Sequence, residues 1–139
     1  MKKFVSLLTL IALFSITSSS FAQKYGNTPK DSVDCIMNNS LYQEFYNQKN
    51  YKDAYEPWKN ALKACPFNHV NLYIRGVVIL KNLIVQAQTA ESQQKYIDEL
   101  MELYDKRTLA FGQEANNIAR KAKDLSELRP NEKERAYNF

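Results

Sequence analysis

The stretch NNSLYQEFYNQKNYKDAYEPWKNALKACP, residues 38–66, decides the fold. Apolar residues fall at Leu41, Phe45 and Tyr46, then again at Ala54, Trp58, Ala61 and Leu62, each run with the spacing of one helix face. The polar break Gln48-Lys49-Asn50 separates the runs. Two amphipathic segments joined by so few residues pack antiparallel, as a helical hairpin. Ala54 and Ala61 are small and share one face, which lets a partner helix come near. Trp58, between them, has a large apolar surface to bury. Pro66 cannot continue a helix and stops the second one.

At these offsets the stretch resembles the tetratricopeptide repeat (TPR) family. Asn38, Leu41, Tyr42 and Phe45 stand at the pattern positions of the first helix, and Ala54, Trp58, Ala61 and Pro66 at those of the second. Two positions depart: Asn38, where a Trp is usual, and Tyr42, where a small residue lets helices approach closely. Gly76 and Ile79 repeat the register of Tyr42 and Phe45 thirty-four residues later. The second half of that unit fits only after a shift of twelve residues, which puts Leu100, Tyr104 and Gly112 at pattern positions and lengthens both helices by about six residues. The resemblance implies an all-α fold, with antiparallel helical hairpins stacked as a short TPR-like α-solenoid of about five helices over residues 29–130. Its structural core would be Leu41, Phe45, Ala54, Trp58, Ala61, Pro66, Gly76 and Ile79, with Trp58 touching Leu41 and Phe45. It also implies protein binding along a surface lined by the first helix of each unit. By helical position, Asn39, Gln43, Tyr46 and Asn47 face that way, and Tyr73 comes from the next unit. Solvated polar surface is the alternative reading of the same five residues.

Outward from the hairpin, Thr28-Pro29-Lys30-Asp31 is a helix start with a cap, a first-turn proline and an acid at the positive end of the dipole. Val33, Ile36, Met37, Leu41 and Phe45 continue a helical stripe. Asn38-Asn39-Ser40 weakens that helix by competing for backbone hydrogen bonds, so a kink is expected there. The same triplet matches a glycosylation sequon, discounted because it lies within a predicted helix. Residues 68–88 are apolar and β-branched, and their length favours helix over strand. Thr89-Ala90-Glu91-Ser92 reads as a turn and Tyr96 to Phe111 as the next amphipathic run. Glu114 to Leu128 is the last helix, with Ala115, Ile118, Ala119, Ala122, Leu125 and Leu128 on one face. Arg129-Pro130 ends it, and residues 131–139 form a polar tail.

The chain begins with Lys2 and Lys3, an apolar run from Phe4 to Ile16, and small residues around Phe21, the pattern of a secretory signal peptide over residues 1–22 with cleavage after Ala22. An uncleaved anchor is the alternative. Residues 23–28 read as a flexible segment. The formal net charge of +4 includes both leader lysines, and the remaining excess is spread evenly. A nucleic-acid binder needs a concentrated basic stripe, and none is present. Export permits a disulfide, and Cys35 and Cys65 are equidistant from the turn at Asn50, which places them side by side in an antiparallel hairpin. Two free buried thiols are the alternative.

His69 is the only histidine, and the sequence has no HExxH motif, Gly-rich phosphate loop or GxSxG to pair with it. These observations lead to the expectation of a non-enzymatic adaptor or scaffold, without metal or cofactor, exported to the periplasm or cell envelope or secreted. Its partner would be a protein or peptide. The alternatives are a small periplasmic ligand-binding protein or enzyme, or a membrane-tethered structural subunit.

Overall fold

The structure, a computed structural model, describes residues 24–130. The expected signal peptide and polar tail lie outside the described residues. Among the described residues five α-helices follow one another from Pro29 on: α1 Pro29–Asn47, α2 Tyr51–Ala64, α3 Asn71–Gln86, α4 Ala90–Phe111 and α5 Glu114–Leu128. Each packs antiparallel against the next in sequence.

Local chemistry sets the helix ends. Thr28 caps α1 by accepting the Asp31 N–H, while the Asp31 carboxylate accepts the Thr28 N–H at 3.0 Å, a reciprocal capping box with Pro29 just inside it. Thr89 and Ser92 make the same arrangement at α4, so that helix begins at Ala90, more than a turn before the expected amphipathic run. Asn50 caps α2, and the imidazole Nδ1 of His69 accepts the Asn71 N–H at the start of α3. Gly112, at φ +70°, closes α4, and its N–H donates to the Thr108 carbonyl at 2.8 Å. α2 continues through Pro57, which is buried.

α1 runs without interruption through Asn38-Asn39-Ser40. The expected competition for backbone bonds resolves in the helix's favour. Each side chain bonds back to the carbonyl four residues earlier: Asn38 to Asp34, Asn39 to Cys35 and Ser40 to Ile36. Asn38 is buried in the process.

The inward face of α1 differs from the expected stripe. Val33, Ile36 and Met37 are 63%, 59% and 57% exposed, and Leu41 is 39% exposed. Cys35, Asn38 and Tyr42 point inward instead. The physical reason is the Cys35–Cys65 disulfide, whose Cα atoms lie 5.6 Å apart, well within bridging range. Once Cys35 faces α2, helical geometry carries residues three and seven positions on, Asn38 and Tyr42, to the same side.

The core runs through the first four helices and is joined by Leu125 of α5. Tyr42, Ala54, Trp58 and Ala61 from the first hairpin meet Leu72, Tyr73, Ile79 and Leu80 of α3 and Leu100, Leu103 and Tyr104 of α4. Phe45 is half-buried against this cluster. The Trp58 ring lies against Gly76 of α3, and its indole N–H donates to the Leu72 carbonyl at 2.8 Å. α4, with 22 residues, outruns the 16 of α3, so the second hairpin is not length-matched as expected.

α5 is fastened by polar groups. Its inward face holds Asn117, Asp124 and Leu125, while Ala115 and Ala119 of the expected apolar face are exposed. Asp124 accepts from Lys81 of α3 at 2.6 Å and from the Tyr104 hydroxyl of α4 at 2.7 Å. The Asn117 amide donates to Thr108 Oγ1 and to the Gly112 carbonyl, both at 3.0 Å. At the other end of the molecule Gly26 is buried against Asp31 and the Ala64 carbonyl, and the Asn68 amide donates to the Lys24 carbonyl. No helix among the described residues is long and apolar enough to cross a membrane.

Candidate functional site

α2 and α4 meet at one end and part at the other. They meet where the Tyr55 hydroxyl donates to the Glu99 carboxylate at 2.6 Å and the Tyr55 ring stands edge-on to Tyr96. Toward the C-terminal ends of both helices they separate, and a groove of about 530 Å³ opens. Its apolar lining comes from four parts of the chain: Leu62 of α2, Pro66 and Phe67 of the following loop, Tyr73 of α3, and Leu109 and Ala110 of α4. The volume falls within the range of ligand sites on proteins.

The lining is held in place. The Tyr73 hydroxyl donates to the Pro66 carbonyl at 3.1 Å, and its ring packs edge-on against Phe111 at 5.7 Å. Burial pushes the Tyr73 phenol up to about 12, so it is a neutral donor across the physiological range. Phe67 and Leu109 stand at the mouth, 39% and 85% exposed.

Charge is concentrated at the rim, where Lys59, Lys63 and Lys106 face a single acid, Glu56. Lys59 reaches the Tyr55 hydroxyl at 3.2 Å and Glu99 at 3.6 Å. Lys106 pairs with Glu102, one turn earlier on α4, with both side chains about half exposed or more. A smaller cavity of about 150 Å³ shares Lys59, Leu62 and Lys106 and extends the groove along the helices toward Glu99 and Glu102. Burial, then the hydrogen bond that the Tyr55 hydroxyl donates to Glu99, raises the Tyr55 phenol well above its usual value, which keeps it a donor to that carboxylate. Among the described residues no group of three or more His, Cys, Asp or Glu could hold a metal ion.

The five residues expected to face a partner do not share one surface. Asn39 and Gln43 line a separate cleft of about 270 Å³ beside Ile36 and His69. Both are used internally: the Asn39 amide lies 3.4 Å from each disulfide sulfur, and the Gln43 amide donates to the Asn39 carbonyl at 3.0 Å. Tyr46 is half-buried, edge-on to Tyr51, with the Arg75 guanidinium 5.4 Å from its ring centre. Asn47 is exposed at the end of α1. Tyr73 alone lines the main groove, and it does so from beneath.

No family model, curated protein or solved structure matches this chain. The repeat resemblance therefore rests on its residues.

Leu109 was legible as an anomaly. It is a large apolar side chain off the Ile97, Leu100, Leu103 and Tyr104 face of α4. Phe67 and Lys63 gave no such signal, because only the tertiary fold brings the loop after α2 beside the end of α4.

Proposed function

We propose that this chain is a non-enzymatic, TPR-like helical adaptor that holds a segment of a partner protein in an exported, oxidising compartment of the cell envelope. The observation that carries this reading is the open apolar groove between α2 and α4. It is lined by side chains from three helices and a loop, and it is continuous with a second cavity along the helix direction. A linear, one-sided groove suits a polypeptide that lies along it. The Cys35–Cys65 disulfide supports the compartment, since such bonds persist where thiols are not kept reduced. The buried Ala54, Trp58 and Ala61 support the repeat, because they pack where its pattern needs small and large residues. The reading departs from the family expectation in one respect. The groove lies between the second helices of the two hairpins, not along the first.

A photo-crosslinking residue at Leu109, in the groove, and another at Val85, which is 84% exposed and outside it, test the proposal. In living cells the Leu109 position should give one or a few discrete protein adducts that Val85 does not. Identical adduct patterns from both positions would remove the groove from consideration.

A further inference from the structure

We propose that the segment this groove accepts is acidic and amphipathic, an apolar face flanked by Asp or Glu; the inference rests on the adaptor reading above and names its partner chemistry. Two features of the groove argue for it. The lining offers Leu62, Phe67, Tyr73 and Leu109 to apolar anchors, and burying exposed Phe67 and Leu109 supplies the favourable term. The rim then selects by charge. Lys59, Lys63 and Lys106 outnumber Glu56 at the wide end of the groove, and among the described residues Lys63 makes no ion pair or hydrogen bond to another side chain. The Lys106–Glu102 pair is an exposed i,i+4 contact, weak enough for Lys106 to turn to an incoming carboxylate. The narrow end is different: Glu99 is engaged by Tyr55 and Lys59, and Glu102 stands beside it. The groove is thus electropositive toward Phe67 and balanced toward Glu99, where Lys59 and Lys106 offset Glu99 and Glu102. The acids of the segment belong at the Phe67 end, and a basic residue is tolerated only at the other. The α2 residues that line it run from Glu56 to Lys63, so a helical segment of about two turns fills it.

The test uses the full chain and three synthetic probe peptides, read by fluorescence anisotropy. One carries Leu at i, i+3, i+4 and i+7 with Glu on its flanks. The second replaces each Glu by Lys, and the third replaces each Leu by Ala. The Glu–Leu peptide should bind about tenfold or more tighter than either relative, with an affinity that falls as salt rises. Lys63→Glu combined with Lys106→Glu should invert the charge preference. Both positions are at the surface, and circular dichroism checks that the variant stays helical. Equal binding of the Glu and Lys peptides, abolished by Leu109→Glu, would overturn the acidic preference and leave the adaptor groove standing. Binding of all three peptides unaffected by Leu109→Glu would overturn both. Anionic phospholipid vesicles that bind where the Glu–Leu peptide does not would assign the groove to a membrane surface and overturn the proposal.

Discussion

Trp58 and Gly76 are paired by shape: a Cβ added at Gly76 would fall 2.6 Å from Cε2 and 2.8 Å from Nε1 of the indole. The absence of that carbon lets α3 approach α2 closely enough for Trp58 to donate to the Leu72 carbonyl. In an exposed helix Gly→Ala gains about 1 kcal/mol of propensity. At Gly76 the sign reverses. The ring cannot yield without losing its hydrogen bond, and overpacking costs about 1–3 kcal/mol with about 1 more for the bond. Gly76→Ala should therefore lower the melting temperature by roughly 5–10 °C. Trp58→Ala should cost about 3–5 kcal/mol, since the ring is 2% exposed. A Gly76→Ala protein that melts at or above wild type would show that the contact relaxes freely.

The disulfide makes a second prediction. Cys35 and Cys65 are 30 residues apart, and neither exposes more than 1% of its surface. Closing that loop removes about 3–4 kcal/mol of freedom from the unfolded chain in the entropy model. Reduction under denaturing conditions should release two thiols where the oxidised protein shows none. The reduced protein should melt on the order of 10–20 °C lower. Two reactive thiols in protein from an oxidising compartment, before any reductant, would remove the bridge.

The disulfide also marks how far the sequence could be read. The symmetry of Cys35 and Cys65 about Asn50 was visible, as were the hairpin, the cap at Thr28, and the end of α5 at Leu128. The orientation of α1 was not. Its apolar residues Val33, Ile36, Met37 and Leu41 form a better stripe than Cys35, Asn38 and Tyr42, yet the bridge turns the second set inward. A covalent constraint outweighs a transfer preference spread over four half-exposed side chains. The start of α4 was missed because Thr89–Ser92 resembles a turn, although its capping box is the signature of a helix start. The groove was least legible, since Phe67, Tyr73 and Leu109 belong to three different segments and meet only in the folded chain.

Asp124 should matter more than its place near the end of α5 suggests. Its side chain is 4% exposed and accepts from both Lys81 and Tyr104, one on each helix of the second hairpin. Asp124→Ala would leave a Tyr104 hydroxyl buried without this acceptor, at about 1–3 kcal/mol. Lys81 is 43% exposed and recovers water, so the loss stays below the about 3–5 kcal/mol typical of a fully buried pair. Asp105→Ala is the control: Asp105 also pairs with a lysine of α5, Lys121, but is itself 60% exposed, so its removal should cost under about 1 kcal/mol. Hydrogen exchange should show α5 opening before the rest in Asp124→Ala. Equal stability of the two variants would mean that α5 is held by its apolar contacts alone.

Alkaline pH should unfold this protein through its tyrosines. Burial pushes Tyr73 up to about 12, and burial followed by a neighbouring carboxylate pushes Tyr55 and Tyr104 further, Glu99 acting on the first and Asp124 on the second. Burial also raises Tyr42, against the opposing pull of Arg75. In the unfolded chain all four return to about 10. Below that value both states hold the phenolic protons, so these groups make stability independent of pH. Above it the unfolded chain releases protons that the folded chain retains, so stability falls as pH rises through the window between the unfolded and folded values. Urea unfolding at about pH 8 and about pH 11 should give a clearly lower midpoint at the higher pH. Near-ultraviolet absorbance should show these phenolates appearing together with the loss of helix, not before it. Tyr73→Phe keeps the ring against Phe111, loses only the bond to the Pro66 carbonyl, and should flatten part of the decline. An unfolding midpoint that does not move between the two pH values would show that the tyrosines reach water in the native state.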